Sequence, residues 1–149
     1  MILLMGAKDD AQICSVAAKL EAMQQTYCVF DSSAFPQRDT IGYQPQSGEM
    51  LLNIAGKAVA LSDIKAMYWR NYRHPDSGVN NAIAYKDCTS LLMSVLNALG
   101  DKAKNSAAAV QFHQEKPRQL ATVAALGVKI PPTYIGNDPQ AVREFCQQF

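Results

Sequence analysis

The first thirty residues constrain the fold more than any other part of the chain. Ile2-Leu3-Leu4-Met5 is a short apolar run ending at Gly6, the pattern of a strand buried on both faces. Asp9 is placed to cap the helix that follows, with Gln12 three residues later completing a capping-box pattern. Ile13, Val16, Ala17, Leu20 and Met23 then recur at helical spacing and mark one apolar stripe. Tyr27-Cys28-Val29-Phe30 forms a second apolar run, stopped by Asp31-Ser32-Ser33. Strand, helix and strand at this spacing make a βαβ unit, and two parallel strands need such a crossover.

After Ser33 the pattern changes. Thr40 to Gln44 and Glu49 to Ala55 are short β-prone runs joined by Pro45-Gln46-Ser47-Gly48, which predicts a hairpin rather than another crossover. Ser62 to Lys65 reads as a single helical turn, and Ala66 to Asn71 as a third core strand. Cys88 to Leu99 places Leu91, Leu92, Val95, Leu96 and Leu99 on one helical face before Gly100. Ser106 can cap a further helical stretch through Val110. The expectation is an α/β fold: a small, mainly parallel, Rossmann-like sheet flanked by helices, with a β-hairpin insertion and a C-terminal helical connector. The predicted division is 1–105 for the α/β domain and 106–149 for the connector. The expected core comprises Leu3, Leu4, Val16, Leu20, Val29, Met67, Trp69, Leu92, Val95 and Leu96.

With 149 residues and 48% hydrophobic content, the chain is long enough to bury a core of its own. Its formal charge of +1 supplies no basic stripe for nucleic acid, and no run is long and apolar enough to span a membrane. Cys14, Cys28, Cys88 and Cys146 are scattered without a CxxC, so they read as free thiols in a reducing cytoplasm. His74 and His113 lack the paired spacing of a zinc site.

Two places carry candidate chemistry. Arg70 and Arg73, with His74, leave the third core strand just before Pro75, where the loops of a parallel sheet collect. Guanidinium forks there suit a substrate carboxylate or phosphate. Tyr68 and Trp69 read as core and flank. Farther on, Pro117 sits at the start of a helix running through Leu120, Val123 and Leu126 to Gly127. A helix start presents free N–H groups and roughly half a positive charge, so Lys116 beside it can form an anion site. A lysine solvated at a helix edge fits the same residues. Asn137-Asp138-Pro139 opens a last helix, whose Val142 and Phe145 have no evident local partner. A homodimer contact is one way to cover them.

The segment Glu115-Lys116-Pro117-Arg118-Gln119-Leu120, then Ala124 through Thr133, then Asn137-Asp138-Pro139 to Glu144-Phe145, resembles the start of an ATP-grasp domain. Ile64 to Arg70 followed by Arg73 is similar to the N-terminal, pre-ATP-grasp domain of the microviridin-type peptide ligases, which sit beside the ribosomal-protein glutamate ligases. The resemblance implies an ATP-dependent carboxylate–amine ligase that works through an acyl phosphate, extending to a peptide or protein substrate. It implies that Lys116 contacts ATP phosphates, and that ATP and Mg2+ serve the complete enzyme. The second phosphate lysine, the adenine-contacting strands and the magnesium-binding cluster of that superfamily match nothing before Phe149. The chain is therefore expected to be the front portion of a longer ligase, holding ATP poorly and not catalytic by itself, with no metal ligands of its own. A stand-alone α/β binding or dimerisation module is the alternative. A receiver-like domain built on Asp9 and Asp10 fails, because Thr40 to Ala55 reads as a hairpin and the third strand ends in Arg70 rather than an aspartate.

Overall fold

The computed structural model describes residues 1–70 and 82–149 and divides into two compact units, Met1–Ala107 and Ala108–Phe149. In the first unit, β1 (Ile2–Gly6) lies between β2 (Tyr27–Asp31) and β6 (Ala66–Trp69), and the short β7 (Ala103–Lys104) follows β6. All of these neighbours pair in parallel, with Leu3 opposite both Cys28 and Met67. A second, antiparallel sheet is formed by β3 (Thr40–Gln44), β4 (Glu49–Ile54) and β5 (Lys57–Ala60).

Helix α1 (Ala11–Ala22) is capped by Asp10, whose carboxylate accepts from the amides of Gln12 and Ile13 at 2.8 and 3.2 Å. The capping residue is thus one position later than the sequence pattern suggested. Its side chain, rather than that of Asp9, reaches the second and third amides, the position a capping acceptor must occupy. The hairpin also extends further than expected. Ala55 and Gly56 both have positive φ, 48° and 82°, and Ile54 pairs with Lys57 across them. Two left-handed residues make the tight turn whose twist matches paired strands, so β5 is a third strand of this sheet.

Strand alternation sorts the packing. Leu3 and Met5 of β1, with Phe30 and Met67 beside them, point into the main core. Leu92, Val95, Leu96 and Leu99 of helix α2 (Ala82–Leu99) fill that core, together with Met50, Leu52, Ile54 and Val59 of the antiparallel sheet. The alternate face of β1, carrying Leu4 and Gly6, meets α1 through Ile13, whose side chain lies 3.1 Å from where a Gly6 Cβ would sit. Arg70 also approaches that face, its Cβ lying 3.5 Å from the same Gly6 position. Val16, Leu20 and Val29 are only half-buried, as is Trp69 at the edge of the main core, whereas Leu3, Leu4, Met67, Leu92, Val95 and Leu96 are buried as expected.

The second unit contains most of α3 (Ala107–Gln114), then α4 (Lys116–Ala125) and α5 (Pro139–Cys146). Asp138 caps α5 by accepting from the Gln140 amide at 2.9 Å. Phe145 does find local partners, which corrects the sequence expectation. Its ring stacks on Tyr134 at 5.8 Å and meets Phe149 at 5.3 Å. Residues 128–137 make no backbone–backbone hydrogen bond among the described residues, and Val128, Tyr134 and Ile135 are exposed.

Candidate functional site

In the first unit β1 feeds β2 on one side, whereas the chain later returns to β6 on the other. The carboxyl ends of β1 and β6 therefore flank a topological switch point, where open α/β sheets leave a crevice for ligands. Arg70 sits there, its amide donating to the Met5 carbonyl at 3.0 Å. Its Nε lies 3.9 Å from the Asp10 carboxylate, and both side chains are partly exposed. A long ion pair of that kind contributes little to stability, so the guanidinium is free to trade Asp10 for another acceptor. Arg73 and His74 lie outside the described residues.

The neighbouring end of β2 carries a cluster that sequence reading missed. The Asp31 carboxylate accepts from the Lys8 amide at 3.3 Å, from the Ser33 amide at 3.1 Å, from the Ser33 hydroxyl at 2.6 Å and from Arg38 at 3.0 Å. Arg38 also donates through Nε to Asp39 at 3.1 Å, and Asp39 is fully buried. Asp39 in turn accepts from the amides of Asp31 at 3.0 Å and Ala55 at 3.2 Å, tying the parallel sheet to the β4–β5 turn. No local motif announces this arrangement, because its partners are brought together only by the fold.

Burial pushes the Asp31 carboxyl up, but the Ser33 hydroxyl, Arg38 and the Lys8 and Ser33 amides outweigh it and hold it below the ordinary carboxylate range. A depressed folded value means that the stabilisation is present above the unfolded pKa of about 4 and is lost as pH falls through the folded value. Urea midpoints measured downward from about pH 5 should therefore fall, and Asp31→Asn should flatten that acid limb. An unchanged limb in the variant would remove Asp31 from the account.

In the second unit Lys116 is the first residue of α4 and is exposed. Its Nζ donates to the Gln119 side-chain oxygen at 3.2 Å, and the Gln119 amide nitrogen lies 3.2 Å from His113 Nδ1. Glu115, at the cap position, makes no side-chain capping bond, leaving the first amides of α4 without that acceptor. Glu115 pairs instead with Arg118 at 3.2 Å, and the Arg118 guanidinium lies 5.0 Å from the centre of the Phe112 ring. Lys116 pairs with no carboxylate among the described residues.

Burial raises the thiol pKa of Cys28, and burial followed by the Asp87 charge raises that of Cys88, which argues against either as a resting thiolate. Among the described residues no group of three His, Cys, Asp or Glu side chains could hold a metal. No helix among the described residues is long and apolar enough to cross a membrane.

The architecture has counterparts among solved structures. It superposes with a TM-score of 0.85 on macrocyclase MdnC from Microcystis aeruginosa MRC bound with precursor peptide MdnA, at 23% identity, covering 100% of this chain and 52% of that one. For the ATP-grasp ligase PsnB complexed with minimal precursor the TM-score is 0.78 at 27% identity, with coverage of 99% and 50%. For the Chryseobacterium gregarium RiPP-associated ATP-grasp ligase in complex with ADP and a leader and core peptide it is 0.81 at 20% identity, with coverage of 99% and 47%. No family model matches the chain, and no curated protein does. The fold is that of the N-terminal portion of an ATP-grasp ligase. Each of these counterparts is bound to a precursor or to a leader and core peptide, and the chain spans about half the length of each.

Proposed function

We propose that this chain supplies the N-terminal portion of an ATP-dependent carboxylate–amine ligase acting on a peptide. In this reading residues 1–105 form the pre-ATP-grasp domain and 106–149 the connector into the nucleotide-binding half. The observation that carries the proposal is the full-length match of the chain to one half of several peptide-modifying ATP-grasp ligases. Lys116 contacts ATP phosphates and offsets negative charge while the γ-phosphoryl group moves to the substrate carboxylate, an electrostatic role rather than acid–base work. An amine then attacks the activated carbonyl carbon and inorganic phosphate leaves. Arg70, at the switch point, holds a substrate carboxylate together with Arg73. Magnesium, supplied with the nucleotide, draws no ligand from the described residues.

In a form extended to the length of the matched ligases, Lys116→Ala should weaken ATP binding about tenfold, the equivalent of about 1.4 kcal/mol. Titration calorimetry with Mg-ATP reads the change, and unaltered affinity would remove Lys116 from the phosphate site. Tight, saturable Mg-ATP binding by the 149-residue chain alone would instead favour a complete nucleotide site within it.

A further inference from the structure

A cavity of about 540 Å3 opens between the antiparallel sheet and the last turns of α2. Its lining includes Leu61 and Ser62, which precede β6, and Lys102, which precedes β7. It therefore lies toward the amino ends of the parallel strands, whereas Arg70 follows the carboxyl end of β6. The volume is in the range of small-molecule pockets. Met50, Leu61 and Leu99, which belong to the main core, give it an apolar and fixed floor. Tyr43 is opposite Met50 in register and shares that face of the sheet, with nearly half its surface exposed.

The charges around the cavity are unequal. Glu49 borders it but is opposite Gln44, so its side chain leaves from the other face of the sheet. Lys102 makes no ion pair among the described residues. Its Nζ donates to the Ile64 carbonyl at 2.9 Å, which holds the ammonium in place and leaves its other hydrogens for a further acceptor. The carboxyl end of α2 opposes an anion with roughly half an elementary charge, and Lys102 supplies a whole one. Ser94 turns its hydroxyl to the Ser90 carbonyl at 3.0 Å. The Tyr43 and Ser62 hydroxyls and the Asn97 side-chain amide, also in the lining, make no hydrogen bond among the described residues.

An apolar floor, a half-exposed ring and one unpaired cation among neutral donors select a ligand with an apolar body and a single negative charge. A carboxylate accepts through both oxygens, enough for the ammonium and a neighbouring hydroxyl or amide, and its charge matches one lysine. A phosphate dianion would outweigh that lysine. Ring-to-ring contact with Tyr43 favours an aromatic body over an aliphatic one. We propose that this cavity binds an aryl monocarboxylate, presented either as a free acid or as the C-terminal residue of a peptide. The inference stands on charge and shape and does not rest on the ligase reading.

The test titrates the 149-residue chain with phenylacetate, with neutral phenylacetamide and with N-acetylphenylalanine, following amide resonances by NMR. Phenylacetate should shift the resonances of Tyr43, Ser62, Asn97 and Lys102 saturably, with a Kd of about 1 mM for so small a probe. Phenylacetamide keeps the shape, lacks the charge and should bind about tenfold more weakly. Lys102→Met keeps the stem and removes the cation, and Asn97→Asp sets a negative charge at an exposed position of the lining. Each should weaken phenylacetate about tenfold, and thermal melts establish that both variants remain folded. Tighter binding of N-acetylphenylalanine than of phenylacetate identifies a peptide end as the source, and the reverse order a free acid. Absence of saturable shifts at these residues, equal binding of acid and amide, or undiminished binding by folded Lys102→Met and Asn97→Asp would each overturn the proposal.

Discussion

Asp39→Ala should lower the stability of the first unit by about 3–5 kcal/mol, the cost of leaving a buried polar cluster without its central acceptor. Asp39 has no exposed surface and accepts from the Arg38 guanidinium and from the Asp31 and Ala55 amides. Alanine removes all three acceptances at once, and the two amides are left facing a cavity instead of a carboxylate. Arg38 is half exposed and can turn to water, so most of the loss falls on the amides rather than on the ion pair. Asp39→Asn should recover part of the loss, since it retains one acceptor oxygen of similar reach. Equilibrium urea unfolding provides the comparison. A loss for Asp39→Ala below about 1 kcal/mol would mean that water or a backbone shift replaces the carboxylate.

Phe30→Ala should cost a similar amount, about 3–5 kcal/mol, for a different reason. Phe30 is fully buried in the middle of the main core, beside Met5 in register, with its ring centre 5.7 Å from that of Phe35. Truncation removes a large apolar surface together with a tilted aromatic pair. The backbone of β2 is pinned to β1 along its whole length, so the gap cannot close by moving the strand. Phe30→Leu should lose much less, because it refills most of the volume. Equal losses for leucine and alanine would indicate that ring contact rather than volume dominates.

The parts legible in the sequence were those written in local pattern. The run Ile2 to Met5 followed by an apolar helical stripe and a second run led directly to β1, α1 and β2. The spacing of Leu92, Val95, Leu96 and Leu99 identified the buried face of α2. The parallel pairing of β1 with β2 followed from that crossover, whereas the order that places β1 between β2 and β6 was not read. What escaped was either backbone-determined or non-local. The β4–β5 turn uses Ala55 in a left-handed conformation, where asparagine or aspartate is the usual signal, so β5 went unseen. The Asp31–Arg38–Asp39 cluster depends on Ala55 arriving from another sheet, and charges in a loop give no hint of burial. Val16 and Leu20 are only half-buried, and an amphipathic stripe cannot report how deeply its face is covered. The start of α4 at Lys116 was legible because Pro117 beside it fixes where a helix begins. The cavity under Tyr43 was not, since its walls come from separate elements.

The bare main chain of residues 128–137 has a practical consequence. A stretch without backbone–backbone hydrogen bonds among the described residues leaves main-chain groups with which an extended peptide can pair. Here Pro131 and Pro132 interrupt that stretch, because neither has an amide hydrogen to offer. Replacing both with residues that carry an amide hydrogen would complete the run of donors and make such pairing easier.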